Sequence, residues 1–341
     1  MKLSDYDYNL PPSLIAKKPQ KSRGGSRLLF LNRHSGGVED RLYVDLPSLL
    51  KPGDLLILND TKVIKARLRV KKQNGVDREI IVLEKHSFDK NWHVHNILYK
   101  KSLKVGDELS IAGNKLKVRA ILGNGIAEVF SDVDLLKLTD SYGEVPLPPY
   151  MHRKSNANDI KRYQTVWAKD IGSAAAPTAS LNMTQEILNN LSKLGIKTRY
   201  VTLHVGLGTF LPIRTDNLKD HEMHKEYFKI PKETVEAIYE TKKNGGRVIA
   251  VGTTVTRALE YSYKQIQTQQ SGISGEADIF IYPGYEFKII DGLLTNYHAP
   301  RSTVLMLTAA FANWDKLLPA YKHAIQKKYS FLSYGDSMLI L

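Results

Sequence analysis

The 341-residue chain contains no cysteine. That excludes disulfides, thiolate metal ligands and thiol nucleophiles together. It fits a reducing cytoplasm, where we expect the protein to work. Long apolar runs are also missing. The longest, Thr303 to Ala312, is about half of what a bilayer span needs, so it reads as a buried core helix and no membrane partner is expected. The opening residues, Met1-Lys-Leu-Ser-Asp-Tyr-Asp-Tyr8, hold no apolar stretch of the secretory kind. No Gly-rich phosphate loop of the dinucleotide or Walker type occurs.

What is present in excess is positive charge. The formal net charge is +14. A surplus of this size points to an anionic partner, with nucleic acid the first candidate and a generally basic proteome the plain alternative. Residues 61–130 hold 15 Lys/Arg against 7 Asp/Glu, so more than half of the excess sits in about a fifth of the chain.

The same region has its own pattern. Short alternating stretches (65–70, 78–83, 92–97, 115–122 and 126–130) are separated by Asn74-Gly75, Val105-Gly106-Asp107 and Gly123-Asn-Gly125. Regular spacing with hairpin turns predicts a small closed β-barrel, and the Pro-rich exit at 145–150 marks its boundary. Outside it the reading is α/β. Buried strands are expected at 54–59, 199–205 and 247–252. Helices are expected at 184–194, after Pro231, at 253–263, near 302–312 and near 315–327. Strand-like segments at 278–282 and 286–290 and a final strand at 336–341 complete it. The expected fold is α/β: a mixed central sheet with flanking helices, formed by residues 1–60 and 151–341, plus an inserted basic β-barrel domain at 61–150.

Four segments carry candidate chemistry. Gly172 to Ser180 is a run of small residues around Pro177 that leads into a helix, as a loop does where backbone must lie close to a ligand. Val248-Ile-Ala-Val-Gly-Thr-Thr-Val-Thr-Arg257 is a strand, a tight turn and a helix start. Thr253 and Thr254 stand where hydroxyls and free N–H groups meet a polar ligand, or serve as plain caps. His204-Val-Gly-Leu-Gly-Thr-Phe210 ends a strand with an imidazole, either catalytic or a satisfied core histidine. Asp220-His-Glu-Met-His-Lys-Glu226 packs two histidines and three acids together without the spacing of a zinc motif, so no metal is expected. His298 precedes the helix near Ser302, and Arg301 is placed for an anion.

Together these segments resemble the S-adenosylmethionine:tRNA ribosyltransferase-isomerase family of queuosine biosynthesis. The resemblance runs over nearly the whole chain. It shows at Asn59-Asp-Thr-Lys-Val-Ile-Lys-Ala-Arg-Leu68, Tyr163-Gln-Thr-Val166, Ala175-Ala-Pro-Thr-Ala179, the 204–210 and 221–226 stretches, Val251-Gly-Thr-Thr254, Leu294-Thr-Asn-Tyr-His298 and Ser333-Tyr-Gly-Asp336. It implies transfer and isomerisation of the ribosyl part of S-adenosylmethionine onto 7-aminomethyl-7-deazaguanine at the tRNA wobble position. The products are epoxyqueuosine-tRNA, adenine and methionine. S-adenosylmethionine is then consumed as ribosyl donor, and no separate cofactor or metal is implied. The implied tRNAs carry a G-U-N anticodon, and a monomer without an obligate protein partner is implied.

Roles follow as expectations. A sulfonium acidifies the adjacent 5′ carbon, so a base is needed, and without cysteine a histidine is the natural one. His204 or His224 is expected in that role, with His298 in reserve. Asp60 or Glu226 is expected to protonate the outgoing adenine. Ala175, Ala176, Pro177, Thr178, Asn182, Gly208, Thr209, Thr253, Thr254 and Arg257 are expected to hold S-adenosylmethionine. Lys62, Arg67, Tyr163, Gln164 and Arg301 are expected to hold tRNA, with the basic barrel on phosphates.

The chain departs from the family pattern at Asn182, where a histidine is usual, at Leu211 for an arginine, at Gly24 for an aspartate and at Lys65 for a proline. Asn182 cannot serve as a base near neutral pH, so either that position only orients substrate or the pocket is impaired. The second reading is a non-catalytic basic RNA-binding protein with a degenerate pocket. A third is a metal-dependent RNA-modifying hydrolase using the 220–226 cluster.

Overall fold

The computed structural model describes residues 1–87, 91–206, 213 and 215–341. Strands β1 (Arg27–Leu31) and β2 (Val38–Leu42) form a hairpin, followed by β3 (Leu55–Asn59) and the short β4 (Thr61–Val63). Next come β5 (Arg67–Lys72), β6 (Asp77–Val82), β7 (Val94–Tyr99), β8 (Glu108–Ile111), β9 (Asn114–Gly123) and β10 (Ile126–Ser131). These six close into a barrel in the order β10-β7-β6-β5-β8-β9. Helices α1 (Leu135–Tyr142) and α2 (Ala157–Arg162) lead back to β11 (Asp170–Ser173), which pairs with β4 in parallel.

The rest alternates. It runs through α3 (Gln185–Lys193), β12 (Lys197–Leu203), β13 (Glu226–Ile230), α4 (Lys232–Lys243), β14 (Val248–Val251), α5 (Thr253–Tyr261) and α6 (Tyr263–Thr268). Then follow β15 (Ile273–Ala277), β16 (Gly292–Asn296), α7 (Thr303–Ala312), α8 (Trp314–Gln326) and β17 (Ser337–Ile340). Nine strands form one mixed sheet in the order β15-β13-β12-β3-β14-β16-β17-β1-β2.

The residues explain the architecture. Strands β3, β14, β16 and β17 are buried along their whole length, as continuous apolar runs under helices on both faces must be. In the barrel, by contrast, Leu116 and Val118 of β9 point inward while Lys115, Lys117 and Arg119 face solvent, giving the period of two. The barrel has its own apolar core around Leu68, Val70, Ile80, Ile97, Leu109 and Val129. Helix α3 is capped by Thr184, whose hydroxyl accepts from the Ile187 N–H at 3.2 Å, and it buries Ile187, Leu188 and Leu191.

Segments 278–282 and 286–290 are not strands; the strands lie beside them, at Ile273–Ala277 and Gly292–Asn296. Buried Ile281, Ile289 and Ile290 supply an apolar pattern, but the backbone finds a different partner. The carboxylate of Glu260, itself fully buried, accepts from the N–H groups of Lys288, Ile289 and Ile290 at 2.8, 3.0 and 3.0 Å. A side chain thus takes the place of a neighbouring strand. Strand β8 was not anticipated. It joins β9 through Ala112 and Gly113, both at positive φ, and alanine hides a turn that Asn-Gly would have announced.

Candidate active site

The small-residue loop is held from beneath. The N–H groups of Ala174 and Ala175 both donate to the Val205 carbonyl at 3.1 Å. The Ser173 hydroxyl donates to the Ala175 carbonyl at 2.7 Å and accepts from the Val205 N–H at 2.8 Å. Ala176 packs on a cluster of Val63, Leu147, Met151, Tyr163, Leu181 and Tyr334. Backbone from 176 to 179 is thereby presented at the surface of a cavity of about 570 Å³.

Two helix starts open onto the same cavity. Gly252, at φ +99°, turns the chain from β14 into α5, a conformation that L side chains avoid. It offers no side-chain cap to the first N–H groups of α5, which leaves them for a ligand. Arg301, Ser302 and Val304, at the start of α7, also line the cavity. There the cap is internal, since the Ser302 hydroxyl accepts from Leu305 N–H at 3.2 Å. Positive helix ends favour an anionic group.

His298 lies in the cavity wall, between β16 and α7. Its Nε2 is 2.9 Å from the Thr295 hydroxyl, its N–H donates to the Tyr321 hydroxyl at 3.0 Å, and Tyr8 donates to its carbonyl. Burial pushes the imidazole down to about 3, so it is neutral at physiological pH. Burial disfavours the charged ring, so proton uptake here demands a strongly activated donor.

The other sequence-predicted residues are distributed as follows. Ala176, Pro177, Thr178, Thr253, Thr254 and Arg301 line the cavity with His298; Ala175 is buried behind it. Arg301 is exposed, at φ +57°, and paired with Asp7. His204 is buried one layer back, with Nδ1 2.8 Å from the Thr61 hydroxyl, and burial pushes it down to about 4. His224 is exposed and does not line the cavity. Glu226 is buried and paired with Arg257. Three further Arg257 N–H groups go to the carbonyls of Ile279, His224 and Ala277 at 3.2, 3.2 and 3.0 Å. This pair lines a small recess that shares Thr253 and Thr254 with the main cavity.

Asp60 opens onto a different cavity, with Asp170, Trp167 and Tyr200. The Thr202 hydroxyl lies 2.7 Å from Asp60 and 3.0 Å from Asp170, and burial raises the Asp60 carboxyl above its ordinary value. Asn182 is buried outside the main cavity lining, donating to the Gly335 carbonyl at 3.0 Å. Tyr163 is buried edge-on to Tyr334. The Gln164 amide clasps Val63, accepting from its N–H at 3.1 Å and donating to its carbonyl at 2.7 Å. Lys62 is exposed, and Arg67 pairs with Glu79 at 3.0 Å. Gly208, Thr209 and Leu211 lie outside the described residues.

In the 220–226 stretch, the His221 ring packs edge-on against Phe280 at 5.0 Å. Among the described residues no three His, Cys, Asp or Glu side chains are grouped as metal ligands. No helix among them is long and apolar enough to cross a membrane.

The sequence reading missed Tyr150, Asn296 and Ser333 as cavity residues. Asn296 is the last residue of β16, whose other residues are buried, so local sequence gives no sign that it lines the cavity.

The chain matches the queuosine biosynthesis protein family over residues 3–340. It is 53% identical over 344 residues to the S-adenosylmethionine:tRNA ribosyltransferase-isomerase of Chlorobium phaeovibrioides, and both chains are covered completely. The enzyme of the same name from Halothermothrix orenii is 47% identical over 345 residues, again with full coverage of both. Among solved structures, the S-adenosylmethionine tRNA ribosyltransferase of Thermotoga maritima is 34% identical. It covers 99% of this chain and 100% of its own, with a TM-score of 0.58.

Proposed function

This chain belongs to the queuosine biosynthesis protein family, and from that membership we propose how it acts as an S-adenosylmethionine:tRNA ribosyltransferase-isomerase. Its substrates are S-adenosylmethionine and tRNA. It moves the ribosyl part of the first onto 7-aminomethyl-7-deazaguanine at the wobble position of the second, releasing adenine and methionine. The target tRNAs carry a G-U-N anticodon, the reaction runs in the cytoplasm, and S-adenosylmethionine is consumed without a separate cofactor or metal.

The observation that carries the site assignment is the meeting of three elements in one cavity: the 176–179 backbone, the uncapped start of α5 and the imidazole of His298. A cavity of about 570 Å³ is ample for one S-adenosylmethionine. The donor-rich α5 start suits its carboxylate. The sulfonium makes the 5′ hydrogens acidic, and His298 is the histidine that faces the ligand, so it is assigned the base role in preference to His204 and His224. Its low basicity is a cost, offset by the positive sulfonium that stabilises the carbanion formed. Of the two carboxyls expected to protonate adenine, Glu226 lines the recess that shares Thr253 and Thr254 with the cavity and is preferred to Asp60, which opens onto a different cavity; Asp216 is a further carboxyl, in the cavity lining itself. His204 supports the loop from behind. The outward lysines and arginine of β9 are assigned to tRNA phosphates.

Incubation with S-adenosylmethionine and precursor-bearing tRNA, with and without chelator, tests this reading. Adenine release that survives chelator is expected. No adenine points instead to a non-catalytic RNA binder, and loss with chelator to metal-dependent chemistry.

A further inference from the structure

Among the described residues that line the cavity, Thr215, Thr254, Asn296 and Tyr297 each have a buried side-chain oxygen without a hydrogen-bond partner; Oδ1 of Asn296 and Oγ1 of Thr254 are the pair beside the α5 start. Both residues line the cavity, and they are only 2% and 8% exposed. Leaving such atoms unpaired is costly, so a buried orphan at a cavity wall points to a ligand that completes it. Thr254 belongs to the uncapped start of α5, where free N–H groups also await a partner.

The amide of Asn296 has a defined orientation. Its Nδ2 faces the Asp336 carbonyl at 3.4 Å, and turning the amide over would set two oxygens against each other. Oδ1 is therefore the acceptor left for the ligand. The sheet sets the two features side by side. Strands β14 and β16 run parallel with Val251 opposite Leu294, and the Gly252 N–H donates to the Leu294 carbonyl at 2.8 Å. The turn Gly252-Thr253-Thr254 consequently stands beside Thr295-Asn296. A donor cluster lies next to a buried amide acceptor.

An α-amino acid has the complementary arrangement, a carboxylate and an ammonium one carbon apart. We infer that this corner of the cavity is an amino-acid clamp for the methionyl end of S-adenosylmethionine. The α5 N–H groups and the Thr254 hydroxyl take the carboxylate, and Asn296 Oδ1 takes the α-ammonium. The inference rests on the reading of the cavity as the S-adenosylmethionine site and adds what distinguishes the intact amino acid there.

The test is calorimetric binding of S-adenosylmethionine and of its analogue lacking the α-amino group, to wild type, Asn296→Leu and Asn296→Asp. Wild type is expected to prefer S-adenosylmethionine by ~10-fold or more, as a charge-assisted hydrogen bond implies. Asn296→Leu is expected to lose that preference while binding the deaminated analogue as wild type does, which also shows that it is folded. Asn296→Asp is expected to keep the preference. Equal weakening of both compounds by Asn296→Leu, or a wild type that does not distinguish them, overturns the clamp alone. A wild type that binds neither compound overturns the assignment of the cavity as well.

Discussion

The imidazole of His204 is seated on Gly172: a Cβ built at residue 172 would lie 2.6 Å from Nε2. With Nδ1 held by Thr61 on the other side, the ring fills the space behind the small-residue loop and sets its height. Gly172→Ala is expected to push ring and loop apart and to destabilise the fold by ~1–3 kcal/mol, the usual cost of overpacking. Thermal melting measures this. S-adenosylmethionine binding is expected to weaken as well, since the loop backbone moves. A variant with unchanged melting and binding would show that the contact is slack.

His298 lines the cavity and His224 does not. His298→Gln is expected to lower the rate of adenine release by ~10²-fold or more, the scale of general-base catalysis. His224→Ala, at an exposed site, is expected to stay within ~3-fold of wild type because surface changes are usually near neutral. Single-turnover adenine release compares them. The reverse ranking would return the base role to the 220–226 stretch.

His204 also makes stability depend on pH. Burial holds its folded value near 4, below the ordinary 6.5. Between those values the unfolded chain takes up a proton that the folded chain refuses. This contribution to stability is complete above about pH 6.5 and is lost as pH falls towards 4. At pH 5 the loss is ~2 kcal/mol. Denaturant melts of wild type and His204→Gln at pH 5 and pH 7.5 are expected to show a shallower pH slope in the variant. Parallel slopes would contradict the assignment.

Asn182 is the departure from the family pattern that most threatens activity on paper. In the structure it ties the 178–184 stretch to the Gly335 carbonyl at 3.0 Å and lies outside the main cavity lining. Asn182→His is therefore expected to change adenine release by less than ~3-fold, while Asn182→Ala destabilises by ~1–2 kcal/mol through loss of a buried hydrogen bond. Calorimetry and the adenine assay read the two effects. A large gain in rate from histidine would make this chain a weakened member of its family.

The outward side chains of β9 allow the tRNA assignment to be tested. Replacing Lys115, Lys117 and Arg119 by glutamine is expected to weaken tRNA binding and to reduce the log–log salt slope by ~1 for each lost phosphate contact, with S-adenosylmethionine binding unchanged. An unchanged slope would move the tRNA footprint off this face.

Much of this was legible in the residues themselves. Alternating Lys-Leu-Lys-Val-Arg in 115–119 announces a barrel strand, and Val248-Ile-Ala-Val-Gly-Thr-Thr announces a buried strand feeding a helix. What was not legible depended on long-range partners. Apolar 286–290 looks like a strand until Glu260 is seen to satisfy its N–H groups. His204, His224 and His298 each sit in a suggestive local motif, and only the three-dimensional arrangement shows that His298 faces the cavity. Tyr163 and Gln164 are expected from the sequence to hold tRNA, yet one is core and the other mimics a strand partner for Val63.

The sheet order also bears on how the chain folds. Strand β1 lies between β2 and β17, with Leu28 opposite Ser337, so the first long strand acquires its inner neighbour only when the far end of the chain arrives. The barrel needs nothing beyond residues 67–131 for its ladders. Low-separation contacts form fastest and distant ones pay loop closure first, so the barrel is expected to assemble early and the cavity late. The basic face of the barrel would then exist on a nascent chain before the cavity does. A pulse of hydrogen exchange during refolding would show whether barrel amides are protected ahead of those in β1 and β17.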